Sequence, residues 1–373
     1  MPGSVAALSE TQLRRTREAA QLLDRSRRRK PVDLIRDLLA VQAQVLSAAG
    51  LALAARTDGL TAAAVDRARV EDRSIVHTWA MRGTLHLVTA EDFGWLVPLV
   101  LEPRIANSMR RLRQLGLTGD RPEKAARAVE QMLERQGPLT RQEILSGLRR
   151  RGFRIENPAV AYHLVWLANS TSHGVCYGPA RGRDRCLVLF RDWAGEPKRL
   201  DREAALSEMV VRYLGAHGPA TPEDLAFWSG LRLGVVRRAW RAIADRLVEV
   251  RLPGGPSWML RSTPKAAPGG LVRLLPNFDE YLLGWKDRAF VTSTDRWKTI
   301  NRGGGWLHPV VLADGRAAGR WKANRAPKDY RVEIDPFEPL ASGVHRRLTA
   351  EVERLGAFLG VPAVVGGGHP SWT

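Results

Sequence analysis

The sequence predicts an α+β protein: three tandem winged-helix (helix-turn-helix) modules, then a β-rich C-terminal domain. Three observations lead there. The phrase Gly-Pro-Leu-Thr that opens a helix at Gly137 returns as Gly-Pro-Ala-Thr at Gly218, about 81 residues on, as tandem copies would. The net charge is +19 and the pI about 11.0, which favours a polyanionic partner, nucleic acid first. A linker at 262–270, rich in Pro and Gly, precedes strand-like runs. Arginine far outnumbers lysine, which a GC-rich genome alone encourages; Asp and Glu still fail to balance it.

The modules are expected at 1–118, 119–199 and 200–262, and the β-rich domain at 271–373. In the first, Ser9 caps a helix over 9–30 with Leu13, Leu22 and Leu23 on its apolar face. Its basic end, Arg25 to Lys30, suits a helix C-terminus or phosphates. Pro31 opens the next helix, with Leu34, Ile35, Leu38 and Leu39 inward. That helix runs into Leu39-Ala40-Val41-Gln42-Ala43-Gln44-Val45. Residues two apart do not share a helix face, so both amides are expected at or just past the helix end. Gly50 reads as a break before 51–57. A short helix at 61–69 follows, then strands in 78–88 with Gly83 at a bulge or turn, then a helix from Thr89 to Leu101.

The second module has helices at 123–135, 141–150 and 158–168, the last a recognition candidate. Thr140 and Glu143 form a capping box. A hairpin follows, with the basic tip Arg181-Gly182-Arg183-Asp184-Arg185 read as a phosphate-touching wing. Cys176 and Cys186 are strand residues; with His173 they give three ligands and no fourth, so no metal is expected. The third module has helices at 201–215, 222–229 (capped by Thr221) and 233–244. The last carries Arg237, Arg238 and Arg241, and strands at 247–252 and 257–260 follow. In the final domain a strand at 271–275 precedes the aromatic and acidic turn 276–285. Asp314-Gly315 then joins strands 307–313 and 316–321, and 342–359 is a closing helix. No apolar run approaches the ~18 residues of a membrane span. Residues 1–10 carry no charged segment ahead of an apolar one. A cytoplasmic, nucleoid-associated protein is expected.

Five stretches together resemble a bacterial family of winged-helix DNA-binding-domain proteins that includes the AlkZ-like alkylpurine DNA glycosylases. They are Leu39–Gln44 (LAVQAQ), Thr78–Val88 (TWAMRGTLHLV), His217–Leu231 (HGPATPEDLAFWSGL), Leu274–Asp287 (LLPNFDEYLLGWKD) and Val310–Trp321 (VVLADGRAAGRW). The resemblance implies a concave, basic, duplex-sized groove and removal of cationic alkylated purines, including bulky adducts and interstrand crosslinks. It puts the family's essential glutamine pair on Gln42 and Gln44. It also implies a β-hairpin in the cleft, for which the candidates are the basic segment 296–302 and the Asp314-Gly315 turn. Where many relatives carry Asp-Pro after the second glutamine, this chain carries Val45-Leu46.

The chemistry is sound. Glycosidic hydrolysis normally needs an acid for the leaving group and a base for water, and Gln is neither. An N7- or N3-alkylated purine is already cationic and leaves without protonation. Amide oxygens then suffice to orient a water and to favour positive charge on the sugar. A neutral base such as uracil should therefore be refused. Other candidates are weighed beside this pair. His86 reads first as a buried, hydrogen-bonded strand residue and second as a catalyst. Asp279 and Glu280 offer a general base, and equally a cap for their turn, which is the preferred reading. Arg82, Arg183, Arg185, Arg237, Arg241, Arg296, Lys298 and Arg302 are the expected phosphate contacts. No cofactor is expected, and the partner is double-stranded DNA carrying alkylated purines or crosslinks. The alternative is a non-enzymatic winged-helix regulator. Regulators usually bind two half-sites as dimers, whereas three unlike modules in one chain suit a monomer on one duplex.

Overall fold

A computed structural model of the chain describes residues 6–155, 157–170, 174–263 and 266–366. His173, weighed above as a ligand, lies outside them. The described residues fall into two compact units. One gathers those within Met1–Val65, Ser207–Trp228 and Arg232–Thr373; the other is formed from Asp66–Leu206 and Ser229–Leu231.

In the first unit, Ser9 and Gln12 close a capping box on the helix Glu10–Ala20. This helix is shorter than the 9–30 expected. Leu22 and Arg25 turn into left-handed backbone, at φ +60° and +50°. The turn buries Leu22 and Leu23 and brings Arg25 to Glu351, whose carboxylate accepts from both Nη atoms at 2.7 and 2.8 Å. A distant ion pair thus prevails over local helix preference. The helix Pro31–Leu38 begins with proline in its first turn, as expected. The next helix, Leu46–Ala54, runs through Gly50 without the expected break. A Cβ at residue 50 would stand 3.1 Å from the Phe358 ring, so packing explains this glycine.

Two sheets complete the unit. Leu247–Leu252 pairs antiparallel with Gly255–Leu260, and Ala6–Ala7 adds a parallel edge. The larger sheet runs Val272–Leu275, Val310–Ala313, Arg316–Arg325, Tyr330–Pro336, Ala363–Val365, with the last pair parallel. Asp314 (φ +47°) and Gly315 (φ +75°) make the predicted two-residue turn. The helix Ser342–Leu359 buries Leu348, Val352 and Leu355 in a core with Val272, Leu274, Val311 and Val332. The strand Tyr330–Pro336 is absent from the sequence reading. Yet Val332 and Ile334 are buried between exposed Arg331, Glu333 and Asp335, a period-two pattern that would have revealed it.

Glu18 lies wholly buried in this unit, and neither of its oxygens has a hydrogen-bond partner. Burial pushes its carboxyl up to about 7; Asp314 pushes the same way, against Arg273, Arg14 and Arg15. The unfolded carboxyl ionises near 4.5, so the folded state keeps the proton longer. Stability from this group is therefore full below pH 4.5 and is lost as pH rises through 7, by about 3 kcal/mol in all. Glu18→Gln should match the parent in urea midpoint at pH 4 and exceed it at pH 8. An offset that does not change with pH would refute this assignment.

In the second unit the strands lie in the order Leu85–Thr89, Ile75–Trp79, Val175–Arg181, Asp184–Leu189, Leu139–Thr140. The hairpin of the first module and the wing of the second, read from sequence as separate pieces, join one sheet where His77 faces Tyr177. The Thr140–Glu143 capping box forms. Thr89 caps the helix Ala90–Gln114, which passes Pro98 and Pro103 and runs beyond the expected end at Leu101. Each proline removes a helical donor; burial of Ser108, Met109 and Leu112 accompanies the far half. Cys176 and Cys186 are buried strand residues, and burial pushes the Cys176 thiol far above its ordinary range. Among the described residues no helix is long and apolar enough to cross a membrane.

Candidate active site

Leu39 ends the helix Pro31–Leu38 by taking φ +70°. The chain then extends through the short strand Val41–Gln42, and Gln44 sits in a bend before the helix Leu46–Ala54. Both amides are thus past the helix end, as the spacing required. An extended chain brings residues two apart to one side, which a helix cannot do. Leu39, Ala40, Val41 and Ala43 are wholly buried, Gln42 is nearly so, and Gln44 is exposed. The apolar neighbours therefore fix the segment in the core while leaving Gln44 open to solvent.

Two successive carboxylates hold this segment in place. Glu280 is wholly buried; its Oε1 accepts the Gln42 backbone N–H at 2.7 Å and its Oε2 accepts Trp228 Nε1–H at 2.9 Å. Trp228 in turn packs against Tyr213 and His217. Asp279 accepts from Arg56 through both oxygens, at 2.7 and 2.8 Å, and neither side chain is exposed. Arg56 also donates to Ala52 O and to Gln21 Oε1. Asp279 Oδ1 accepts the Tyr281 N–H and so caps the helix Glu280–Leu283. The neighbouring Gly284 admits His217, whose ring would lie 2.2 Å from a Cβ there. The turn 276–285 is thus a clamp: Glu280 holds the backbone of the first glutamine, and Asp279 holds the end of the helix that follows the second.

The remaining candidates are placed as follows. In this first unit, Arg237 and Arg241 are exposed on the helix Leu233–Ala242, Arg237 paired with Glu223. Arg296 pairs with Glu338 and Lys298 with Asp295, both on the helix Thr294–Ile300; Arg302 follows it, exposed. Residues 296–300 of that segment are therefore helical, and Asn301 and Arg302 begin a turn bridged from Asn301 to Leu307. The Asp314-Gly315 turn is tied down, Arg14 donating to Asp314 O and Tyr281 to Gly315 O. In the second unit Arg183 is exposed at the turn, Arg82 is half-buried, and Arg185 lies over the Tyr177 ring with Nη1 3.1 Å from His77 Nδ1. The recognition candidate Pro158–Asn169 buries Val160, Ala161 and 164–169 and exposes Tyr162, so it carries no basic face. His86 is buried, and Nδ1–H donates to Thr84 O at 2.9 Å. Burial above all, with the Arg82 and His77 charges, lowers its pKa to about 3, against the pull of the Thr84 bond. It is a neutral imidazole at physiological pH, and its one ring proton is engaged by Thr84 O.

The description "DNA glycosylase AlkZ-like" belongs to the family model that matches residues 35–358. The chain belongs to the AlkZ-like DNA glycosylase family. A relative from Streptomyces sahachiroi, named as an interstrand DNA cross-link repair glycosylase, is 31% identical over 328 residues, 82% of this chain and 84% of the relative. The solved structure of Streptomyces sahachiroi DNA glycosylase AlkZ matches with a TM-score of 0.81 and 27% identity, over 97% of this chain and 99% of that one. In this AlkZ-like glycosylase, Val45 stands at the N-cap of the helix Leu46–Ala54 and supplies no side-chain cap. An Asp-Pro in place of Val45-Leu46 would be a cap and first-turn pair.

Proposed function

We propose that this AlkZ-like glycosylase is a monofunctional hydrolase of the N-glycosidic bond of cationic N7- and N3-alkylated purines in duplex DNA. The relative's name extends the proposal to interstrand crosslinks, and a site open at Gln44 leaves room for bulky adducts. The observation that carries it is the clamped pair: Gln42 on a backbone held by buried Glu280, with Gln44 two residues on and exposed. The Gln44 amide oxygen orients a water toward the sugar carbon. The Gln42 amide oxygen favours the oxocarbenium-like cation as the base departs, on a backbone that Glu280 holds. The leaving purine is neutral once the bond breaks, so no acid is needed, in keeping with neutral His86.

The reading carries a module plan with it. Its parts are winged helices at 1–118, 119–199 and 200–262 and the β-rich domain at 271–373, and one monomer acts on one duplex. Support comes from the helices Arg202–His217, Pro222–Ser229 and Leu233–Ala242 followed by the hairpin Leu247–Leu252 and Gly255–Leu260, the order of a winged helix. Arg82, Arg183, Arg185, Arg237, Arg241, Arg296, Lys298 and Arg302 are its proposed phosphate contacts. No cofactor enters the mechanism, and the site of action is the nucleoid.

The test uses duplexes carrying one N7-methylguanine, one uracil or one crosslink, with abasic sites scored after alkaline cleavage. The protein should excise the methylguanine and leave uracil untouched. Gln42→Ala with Gln44→Ala should lose roughly 100- to 1,000-fold, the scale set by removing preorganised polar groups. Uracil excision at a comparable rate, or an unimpaired double variant, would overturn the proposal.

A further inference from the structure

We propose that the recess between the segment 268–273 and the C-terminal helix Ser342–Leu359 is a phosphate-binding site, built from Arg273, Arg347 and Arg354. It is separate from the glutamine clamp and does not rest on the glycosylase reading. The recess has a volume of about 290 Å³; Arg273 lines it from the 268–273 side, Arg347, Glu351 and Arg354 from the helix, and Asp24 completes the charged lining. Residues 347, 351 and 354 are four and three apart, so a single helix face supplies all three.

The carboxylates here neutralise only part of the cluster. Glu351 Oε1 accepts from Arg25 at 2.7 Å and from Arg354 at 3.0 Å, and lies 3.5 Å from Arg273 Nη1. Asp58 pairs with Arg354 Nε at 3.1 Å. Asp24 Oδ1 accepts the Ser26 N–H. Donors are left over. Arg273 Nε is buried and has no hydrogen-bond partner. Arg347 is exposed and makes no hydrogen bond or ion pair among the described residues. Burial, then the Arg25 and Arg354 charges, lower the Arg273 pKa to about 10, against the pull of Glu351 and Asp58. An anion in the recess would relieve that repulsion.

The loop is shaped to admit the guanidiniums. A Cβ at Gly270, which takes φ +78°, would stand 2.5 Å from Arg347 Nη1. A Cβ at Gly269 would stand 2.3 Å from Arg15 Nη2, which brings a further cation beside the loop. Both arginine heads therefore rest on bare backbone. Guanidiniums gathered at one recess suit an oxyanion with several acceptor oxygens, which their planar forks bind in pairs. The phosphate is either that of a DNA strand or a free anion, and the recognition chemistry is the same for both.

The test titrates the full chain with inorganic phosphate in a calorimeter, with chloride balancing the ionic strength, and measures affinity for an undamaged duplex with and without phosphate. Wild type should bind phosphate saturably. Arg347→Met should weaken that binding roughly 10-fold or more, the worth of one hydrogen bond to a charged group, and Arg347→Lys should weaken it less. Arg347 has no partner to lose, so the fold should hold; should the variant melt early, Arg354→Gln replaces it. If DNA supplies the phosphate, inorganic phosphate competes with the duplex, and Arg347→Met lowers the slope of log affinity against log salt by about one. If a free anion is the ligand, duplex affinity is the same in wild type and variant while phosphate binding still falls. No saturable phosphate binding by wild type, or a variant that binds phosphate as tightly as wild type, overturns the proposal.

Discussion

Arg56→Met should destabilise the protein by about 3–5 kcal/mol, the cost of leaving one partner of a buried ion pair alone. Asp279 would be left at zero exposure without the two guanidinium donors it accepts from. Gln21 Oε1 would lose a donor as well, at about 1–3 kcal/mol for an unsatisfied buried acceptor. Asp279→Asn should cost less, because an amide oxygen still accepts from the guanidinium. The double variant Arg56→Met, Asp279→Leu should recover most of the loss, since apolar groups of similar volume often replace a buried pair without penalty. Urea unfolding of the parent, both single variants and the double variant measures this. A double variant no more stable than Arg56→Met would show that the pair does more than compensate its own charges.

Glu280→Ala should reduce excision roughly 100-fold or more with little change in duplex binding. Its carboxylate touches no substrate; it positions Gln42. Without it, the Gln42 N–H and the Trp228 indole N–H lose a buried acceptor together. The short strand at Val41–Gln42 then lacks the bond that sets the glutamine's register. Glu280→Gln keeps one acceptor oxygen but turns an amide N–H toward the other donor, so it should fall between the parent and alanine. The loss should appear in kcat and leave KM nearly unchanged, as expected for an interaction spent on the transition state. A melt at matched conditions separates this from unfolding. Activity within about threefold of the parent, with the fold intact, would make Glu280 a purely structural acceptor.

Much of this architecture was legible in the sequence because its signals are local. Ser9 with Gln12 and Thr140 with Glu143 satisfy helix N-termini across three residues, and both boxes form. Asp314-Gly315 supplies a turn that needs positive φ twice, and it closes the predicted hairpin. Regular periodicity located the helices Arg141–Arg150 and Ser342–Leu359 to the residue. The glutamine pair was visible as a motif, and its spacing alone argued against a helix at that point.

What only the tertiary structure decided depends on partners far apart in the chain. Glu280 is 238 residues from Gln42, and Asp279 is 223 from Arg56. Nothing in the composition around Arg56 marks it as different from the many exposed arginines. The helix expected to reach residue 30 stops at Ala20 because Arg25 finds Glu351 across the fold. Local backbone preferences are read within a turn or two of chain. The identity of a buried charge's partner, and so the rigidity of the glutamine site, comes from desolvation that exists only once the chain has folded.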